Sequence, residues 1–154
     1  MDLLKREDFT TEKEWYDYLG NYAEKRFGEE AALRNYEFMH TNRVHAWDGV
    51  INISNTYYKV QIKGISRNRR EGRTNIFTLR LKNSANIPKY TKENIDMFAI
   101  YLLDHDHFYL VPVNEILVEP DMAGIDLFDS ELDTEFKKLN DQSRTLDVSK
   151  YKIW

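Results

Sequence analysis

A chain of 154 residues with 42% hydrophobic content has the size of one domain and enough apolar material for one core of ordinary extent. It contains no cysteine, which excludes a disulfide framework and any thiolate-held zinc or iron–sulfur centre, so a metal must sit on oxygen or imidazole ligands, a set that favours magnesium. The net charge of −4 argues against a uniformly basic nucleic-acid binder, and the chain has neither an apolar leader after Met1 nor an apolar run of about eighteen residues, so a cytoplasmic protein without a membrane partner is expected.

Thr11-Glu-Lys-Glu14 has the form of a capping box and predicts a helix start. Apolar residues then recur at Trp15, Tyr18/Leu19, Tyr22/Ala23, Phe27 and Ala31, one buried stripe that carries the helix to about Asn35 across Gly20 and Gly28. Next the period changes to two. Val50 and Ile53, then Tyr58, Val60 and Ile62, alternate with polar residues on either side of Ser54-Asn55, so Ala46 to Lys63 reads as an antiparallel hairpin. Gly64 to Thr74 is a polar, basic loop, and Asn75 to Leu81 alternates again as a third strand.

Thr91 can cap a short helical turn through Asp96, and the unbroken apolar run Met97–Leu103 has the character of a strand covered on both faces. Asp104-His-Asp-His107 looks superficially like a metal cluster but reads as the turn into a further strand, Phe108–Val113, with Pro112 near its end. Ser130–Leu139 reads as a short acidic helix, and Tyr151, Ile153 and Trp154 of the polar tail as residues that dock on the body. The expectation is an α/β (α+β) fold: one domain over 1–154, a single mixed β-sheet flanked by helices, a core from about 11 to 113, and a C-terminal extension, 114–154, available for oligomerisation or DNA contact.

Charge is unevenly spread. From Lys59 to Lys92 stand Lys59, Lys63, Arg67, Arg69, Arg70, Arg73, Arg80, Lys82, Lys89 and Lys92 against the single acid Glu71. A polyanion-binding side needs such a local patch, although a solvated basic loop explains it equally well. On the hairpin, Asp48 near the start of the first strand and Lys63 near the end of the second are expected almost opposite each other, with Gln61 on the same face as Lys63 and Ile62 turned to the core. A carboxylate, an amide oxygen and an ammonium on one patch suit phosphodiester hydrolysis: the carboxylate holds a hard divalent cation, and the lysine aligns or deprotonates the attacking water. Singly, each has a plainer explanation: Asp48-Gly49 as turn chemistry, Lys63 as a solvated strand end. His40 and His45 lack partners at ligand spacing, and the aromatics are mainly core, with Tyr57 and Tyr90 the exposed candidates for stacking on bases.

These parts resemble the PD-(D/E)XK nuclease superfamily over about Gly20 to Val113: Gly20-Asn-Tyr-Ala-Glu24 on the first helix, Trp47-Asp48-Gly49 on the first hairpin strand, and Val60-Gln61-Ile62-Lys63 on the second. Archaeal Holliday-junction resolvases are similar in the Gly-x-x-x-Glu helix and the aromatic boundary at Tyr36. The bacterial intron-encoded homing endonuclease branch is closer still, in its Gln-x-Lys triplet and in the stretches 90–101 and 108–113.

The resemblance implies a restriction-endonuclease-like core and a Mg2+- or Mn2+-dependent, site-specific endonuclease of double-stranded DNA acting as a homodimer or tetramer. It implies Asp48 as the central metal ligand, Lys63 as the catalytic lysine, Gln61 in the slot usually held by Asp or Glu, and Glu24 as the helix carboxylate, with Glu29 or Glu30 as substitutes under another helix register. Arg67, Arg69, Arg70, Arg73, Arg80, Lys82 and Lys89 are the expected DNA contacts. Two departures stand out: Trp47 where a proline usually precedes the aspartate, and Gln61, which leaves the site one negative charge short but is shared with the homing branch. The alternatives are a junction resolvase and a DNA-binding module of this fold whose metal site has decayed.

Overall fold

The structure is a computed structural model that describes residues 4–41, 46–66, 77–81, 89–119, 122–132 and 145–154. Helix α1 (Glu12–Leu33) begins at the capping box: the Glu14 N–H donates to the Thr11 hydroxyl at 3.2 Å, and the Thr11 N–H donates to the Glu14 carboxylate at 3.3 Å. Its buried stripe is Trp15, Leu19, Ala23, Phe27 and Ala31, and neither glycine breaks the rod. Strands follow as β1 (Phe38–His40), β2 (Gly49–Ile53), β3 (Thr56–Ile65), β4 (Phe77–Arg80), β5 (Met97–Leu102) and β6 (His107–Pro112), then the one-turn helix α2 (Val113–Ile116), β7 (Gly124–Phe128) and β8 (Thr145–Asp147).

The main sheet has the order β1-β2-β3-β5-β6. It is mixed, as expected, because β3 and β5 run parallel while the other neighbours are antiparallel. Ser54 and Asn55 close the β2–β3 hairpin with φ of 52° and 67°, the two positive angles that a tight primed turn needs and that asparagine tolerates well. Before β5, the Thr91 hydroxyl accepts the Asn94 N–H at 3.2 Å, capping the predicted helical turn.

One expectation is corrected. Residues 77–80 form a strand, but not in the same sheet: β4 pairs with β7, and β7 with β8, in a separate sheet of three strands. The cause lies in the alternation. Phe77 and Leu79 are buried whereas Thr78 and Arg80 are exposed, so β4 has one apolar face only. A strand beside β5, which is covered on both faces, would need two.

The two faces of the main sheet are therefore covered differently. Ile51, Val60, Ile62, Ala99, Tyr101, Phe108 and Leu110 lie under α1, against Ala23 and Phe27. Phe98, Ile100, Leu102, Tyr109 and Val111 face the small sheet through Phe77, Leu79, Ile125 and Leu127. Among the described residues, the stretch after residue 113 thus supplies strands β7 and β8 and the core residues Ile116, Ile125, Leu127 and Val148. Its last residues dock as expected: the Phe108 N–H donates to the Trp154 carbonyl at 2.9 Å, and the Trp154 ring lies 5.1 Å from Phe27. Residues 130–132 form a turn, and the rest of the expected acidic helix lies outside the described residues.

Candidate active site

The open end of the β2–β3 hairpin, away from the Ser54–Asn55 turn, organises the polar residues. A Cβ at Gly49 would stand 2.6 Å from the Met39 carbonyl oxygen and from the Phe38 ring, so only glycine lets β1 close on β2 here. Asp48, just before it, is held through its backbone: its N–H donates to the Val60 carbonyl at 2.8 Å, and its carbonyl accepts the Thr41 N–H at 2.9 Å. Asp48 stands just beyond the Gly49↔Val60 pair, alongside Val60 and Ile62, with Lys63 further along β3 rather than directly across. Gln61 and Lys63 share one side of β3, and Ile62 is buried on the other beneath α1.

The Asp48 carboxylate is fixed as well as placed, because its Oδ2 accepts the Ile62 N–H at 2.8 Å and so lies against the middle of the Gln61–Lys63 triplet. Lys63 is withdrawn from water: burial pushes its ammonium below the ordinary lysine value, while the Asp48 carboxylate pulls it back up. The Lys63 Nζ stands 4.8 Å from the centroid of the Tyr90 ring. That ring is half-buried and meets Phe98 edge-on at 5.5 Å, which corrects the expectation of an exposed stacking platform: the apolar face of β5 captures it. Nothing in the sequence pairs Tyr90 with Lys63, since the parallel β3–β5 contact that joins them is not local. Tyr57 is exposed, and its hydroxyl donates to the Glu37 carboxylate at 3.2 Å.

Glu24 comes from the opposite layer. Ala23 packs where Gly64 lacks a side chain, a Cβ there falling 3.0 Å from the Ala23 Cβ, so α1 covers the face of β3 that Lys63 turns away from. Glu24 is partly buried on the helix flank it shares with Gly28, whose open side looks toward His40 at 3.8 Å and hence toward β1. The substitutes are committed elsewhere: Glu29 pairs with Arg26 at 3.1 Å, and Glu30 pairs with Arg26 at 2.6 Å and with Arg34. Arg26 also reaches Asp106 at 3.2 Å, where the Tyr101 hydroxyl donates at 2.5 Å, and this network ties α1 to the β5–β6 turn. Asp104, His105 and Asp106 lie in that turn, as the sequence reading has them.

Of the basic residues, Arg80 and Lys89 are exposed, and the Arg80 guanidinium lies 5.1 Å from the Tyr16 ring. Arg67, Arg69, Arg70, Arg73 and Lys82 lie outside the described residues. Among the described residues no three His, Asp or Glu side chains gather into a cluster able to hold a cation. The oxygen donors beside Lys63 in this part of the hairpin are one carboxylate, Asp48, and one amide, Gln61. Magnesium is commonly held by only one or two carboxylates, with waters and phosphate oxygens completing its octahedron, so this oxygen-only set fits a hard cation and leaves room for substrate.

A family model for the PD-(D/E)XK endonucleases matches residues 39–124, more than half of the chain. No curated protein matches. Among solved structures the chain is similar to a bacterial homing endonuclease, I-Ssp6803I, with a TM-score of 0.58 and 20% identity over 73% of this chain and 78% of that one. Asp48 and the Gln61-Ile62-Lys63 triplet fall inside the matched span, and the chain belongs to the PD-(D/E)XK endonuclease family.

Proposed function

We propose that this protein is a site-specific, metal-dependent endonuclease of double-stranded DNA, homing-endonuclease-like, that works in the cytoplasm as a homo-oligomer. The observation that carries the proposal is the Asp48 carboxylate held on the Ile62 N–H, in the middle of the Gln61–Lys63 triplet, where the half-buried Lys63 ammonium feels its charge. The likeness in fold to a bacterial homing endonuclease supports the site-specific reading.

In this reading Asp48 and Gln61 would hold Mg2+ or Mn2+, and Glu24, in the helix layer, is the third ligand the family resemblance implies. When bound, the cation polarises a phosphate oxygen and makes its water more acidic. The Lys63 Nζ orients the attacking water, and its weakened hold on a proton suits it to accept one there. Asp48, kept in place by the Ile62 N–H, offers its charge in one orientation. Arg67, Arg69, Arg70 and Arg73, with Arg80, Lys82 and Lys89, contact the DNA backbone or guanine edges. One site cuts one strand, so double-strand cleavage calls for two copies, in a dimer or within a tetramer.

The test is an incubation of wild type and Lys63→Ala with mixed-sequence duplex DNA and Mg2+, followed by sequencing of the ends. Recurrent ends with wild type and none with the variant support the proposal. Preferential cutting of four-way junctions would make the protein a resolvase instead. Gln61 and the sparse carboxylate set favour one further outcome, DNA binding that is indifferent to Mg2+ and never nicks, which would identify a decayed binding module.

A further inference from the structure

We infer that Tyr90 is a positioning residue for Lys63: the face of its ring seats the lysine ammonium beside Asp48 and Gln61, so that the ammonium is in place before DNA arrives. The inference rests on the nuclease reading and deepens it by adding a residue that acts through Lys63.

The geometry is that of a cation over a π-face, with Nζ 4.8 Å from the ring centroid, inside the roughly 6 Å range of a substantial attraction. Lysine has a long, freely rotating stem, and a neighbouring carboxylate draws its charge toward itself. At Lys63 that carboxylate is Asp48. The ring supplies a second seat, which limits how far the ammonium moves onto the aspartate.

A seat is useful only if it is rigid, and Tyr90 is braced on both sides. Its ring stands perpendicular to Phe98, which is fully buried in β5. Its backbone neighbours are pinned by the Thr91–Asn94 turn: the Thr91 N–H donates to the Asn94 side-chain oxygen at 2.8 Å, and the Asn94 amide donates to the Lys89 carbonyl at 2.6 Å. The far end of the same turn is fastened to β3, because the Lys59 N–H donates to the Asp96 carboxylate at 2.8 Å and the Asp96 N–H donates to the Lys59 carbonyl at 2.9 Å. The strand that bears Lys63 and the segment that bears the ring therefore move as one piece.

The experiment compares wild type with Tyr90→Phe, Tyr90→Leu and a series in which position 90 carries phenylalanines of increasing ring fluorination, which drains the π-face at nearly constant volume. The first readout needs no metal: in wild type and Tyr90→Phe the Lys63 Cε methylene proton resonances sit upfield, and in Tyr90→Leu they return to ordinary lysine positions. The second is single-turnover cleavage of a target duplex with Mg2+ beside DNA affinity measured in Ca2+. Tyr90→Phe is expected to keep most of the rate, Tyr90→Leu to lose about tenfold, equivalent to about 1.4 kcal/mol of barrier, and the fluorinated series to decline stepwise, all with unchanged affinity. The fluorinated series keeps the test decisive if Tyr90→Leu does not fold. Equal rates across that series, or lysine resonances blind to the ring, overturn the inference while leaving the nuclease reading intact. A wild type that cleaves no DNA overturns both.

Discussion

The backbone N–H of Ile62 meets the Asp48 carboxylate at 2.8 Å, across the hairpin and through its Oδ2. In the proposed reading one aspartate thus does structural and chemical work together. Asp48→Asn separates the two, since the amide oxygen can still accept that N–H but carries no charge. The expected result is a thermal midpoint within a few degrees of wild type and no detectable nicking of supercoiled plasmid in Mg2+. A large drop in stability, or retained nicking, would show that the charge matters to folding rather than to cleavage.

Gln61 precedes Ile62, whose N–H holds the Asp48 carboxylate. Gln61→Glu adds a second carboxylate to the triplet beside Asp48 and, in the proposed reading, should tighten Mg2+ binding, because a hard cation prefers charged oxygen donors. Calorimetric titration of the metal-free protein and the Mg2+ concentration at half-maximal cleavage should both shift to lower values. Unchanged values in both would remove Gln61 from the ligand set.

Gly64 is the residue after Lys63, and a Cβ there would stand 2.7 Å from the Leu19 carbonyl oxygen and 3.0 Å from the Ala23 Cβ. Both obstacles belong to α1, so Gly64→Ala must displace the helix rather than a flexible side-chain end. A loss of about 1–3 kcal/mol in urea unfolding is expected, with a fall in cleavage if Glu24 works from that helix. Stability equal to wild type would mean that the helix yields freely.

Helix α1, the β2–β3 hairpin and the apolar strand β5 were legible in the sequence because each announces itself locally, through a capping box, two turn residues that accept positive φ, and an apolar run. That Gln61 and Lys63 point away from buried Ile62 follows from strand alternation alone, so it was legible too. The position of β4 was not, because its pattern shows that one face is buried but not against what. Strands β7 and β8 were missed for the same reason: they are short, and β8 has no fully buried residue of its own. Tyr90 was misjudged because its neighbours, Lys63 and Phe98, reach it only through tertiary packing.

Two carboxyls make the fold acid-sensitive. Burial pushes Asp147 upward, but hydrogen bonds from Ser130 and Ser149 outweigh this and hold it below the ordinary carboxylate value. Glu30 is lowered chiefly by its hydrogen bond from Arg34, against burial and with help from Arg26. Groups lowered in the folded state stabilise it above the unfolded carboxyl pKa of about 4, and that stabilisation drains away as pH falls through the folded values. The thermal midpoint should therefore be level in this respect above about pH 5 and decline below about pH 4, less steeply in Asp147→Asn. An acid limb identical in the variant would clear Asp147 of the effect.

For the basic stretch, replacing Arg67, Arg69, Arg70 and Arg73 singly by alanine should flatten the slope of log affinity against log salt by about one for each phosphate contact removed. An arginine that reads a guanine should also relax cleavage specificity at one position of the target, visible in the sequenced ends. Slopes unchanged in all four variants would move the DNA to another surface.

Strands β3 and β5 lie side by side and parallel, yet residues 66–96, the small-sheet strand β4 among them, are strung between them. The chain leaves the main sheet next to Lys63 and rejoins it one strand over, so the sheet itself sets no length or composition for most of what intervenes. Such an excursion is a cassette. Under the proposed function, exchanging its basic part between relatives is expected to change the target and leave the cutting chemistry untouched, provided that the graft keeps the Tyr90–Asp96 turn.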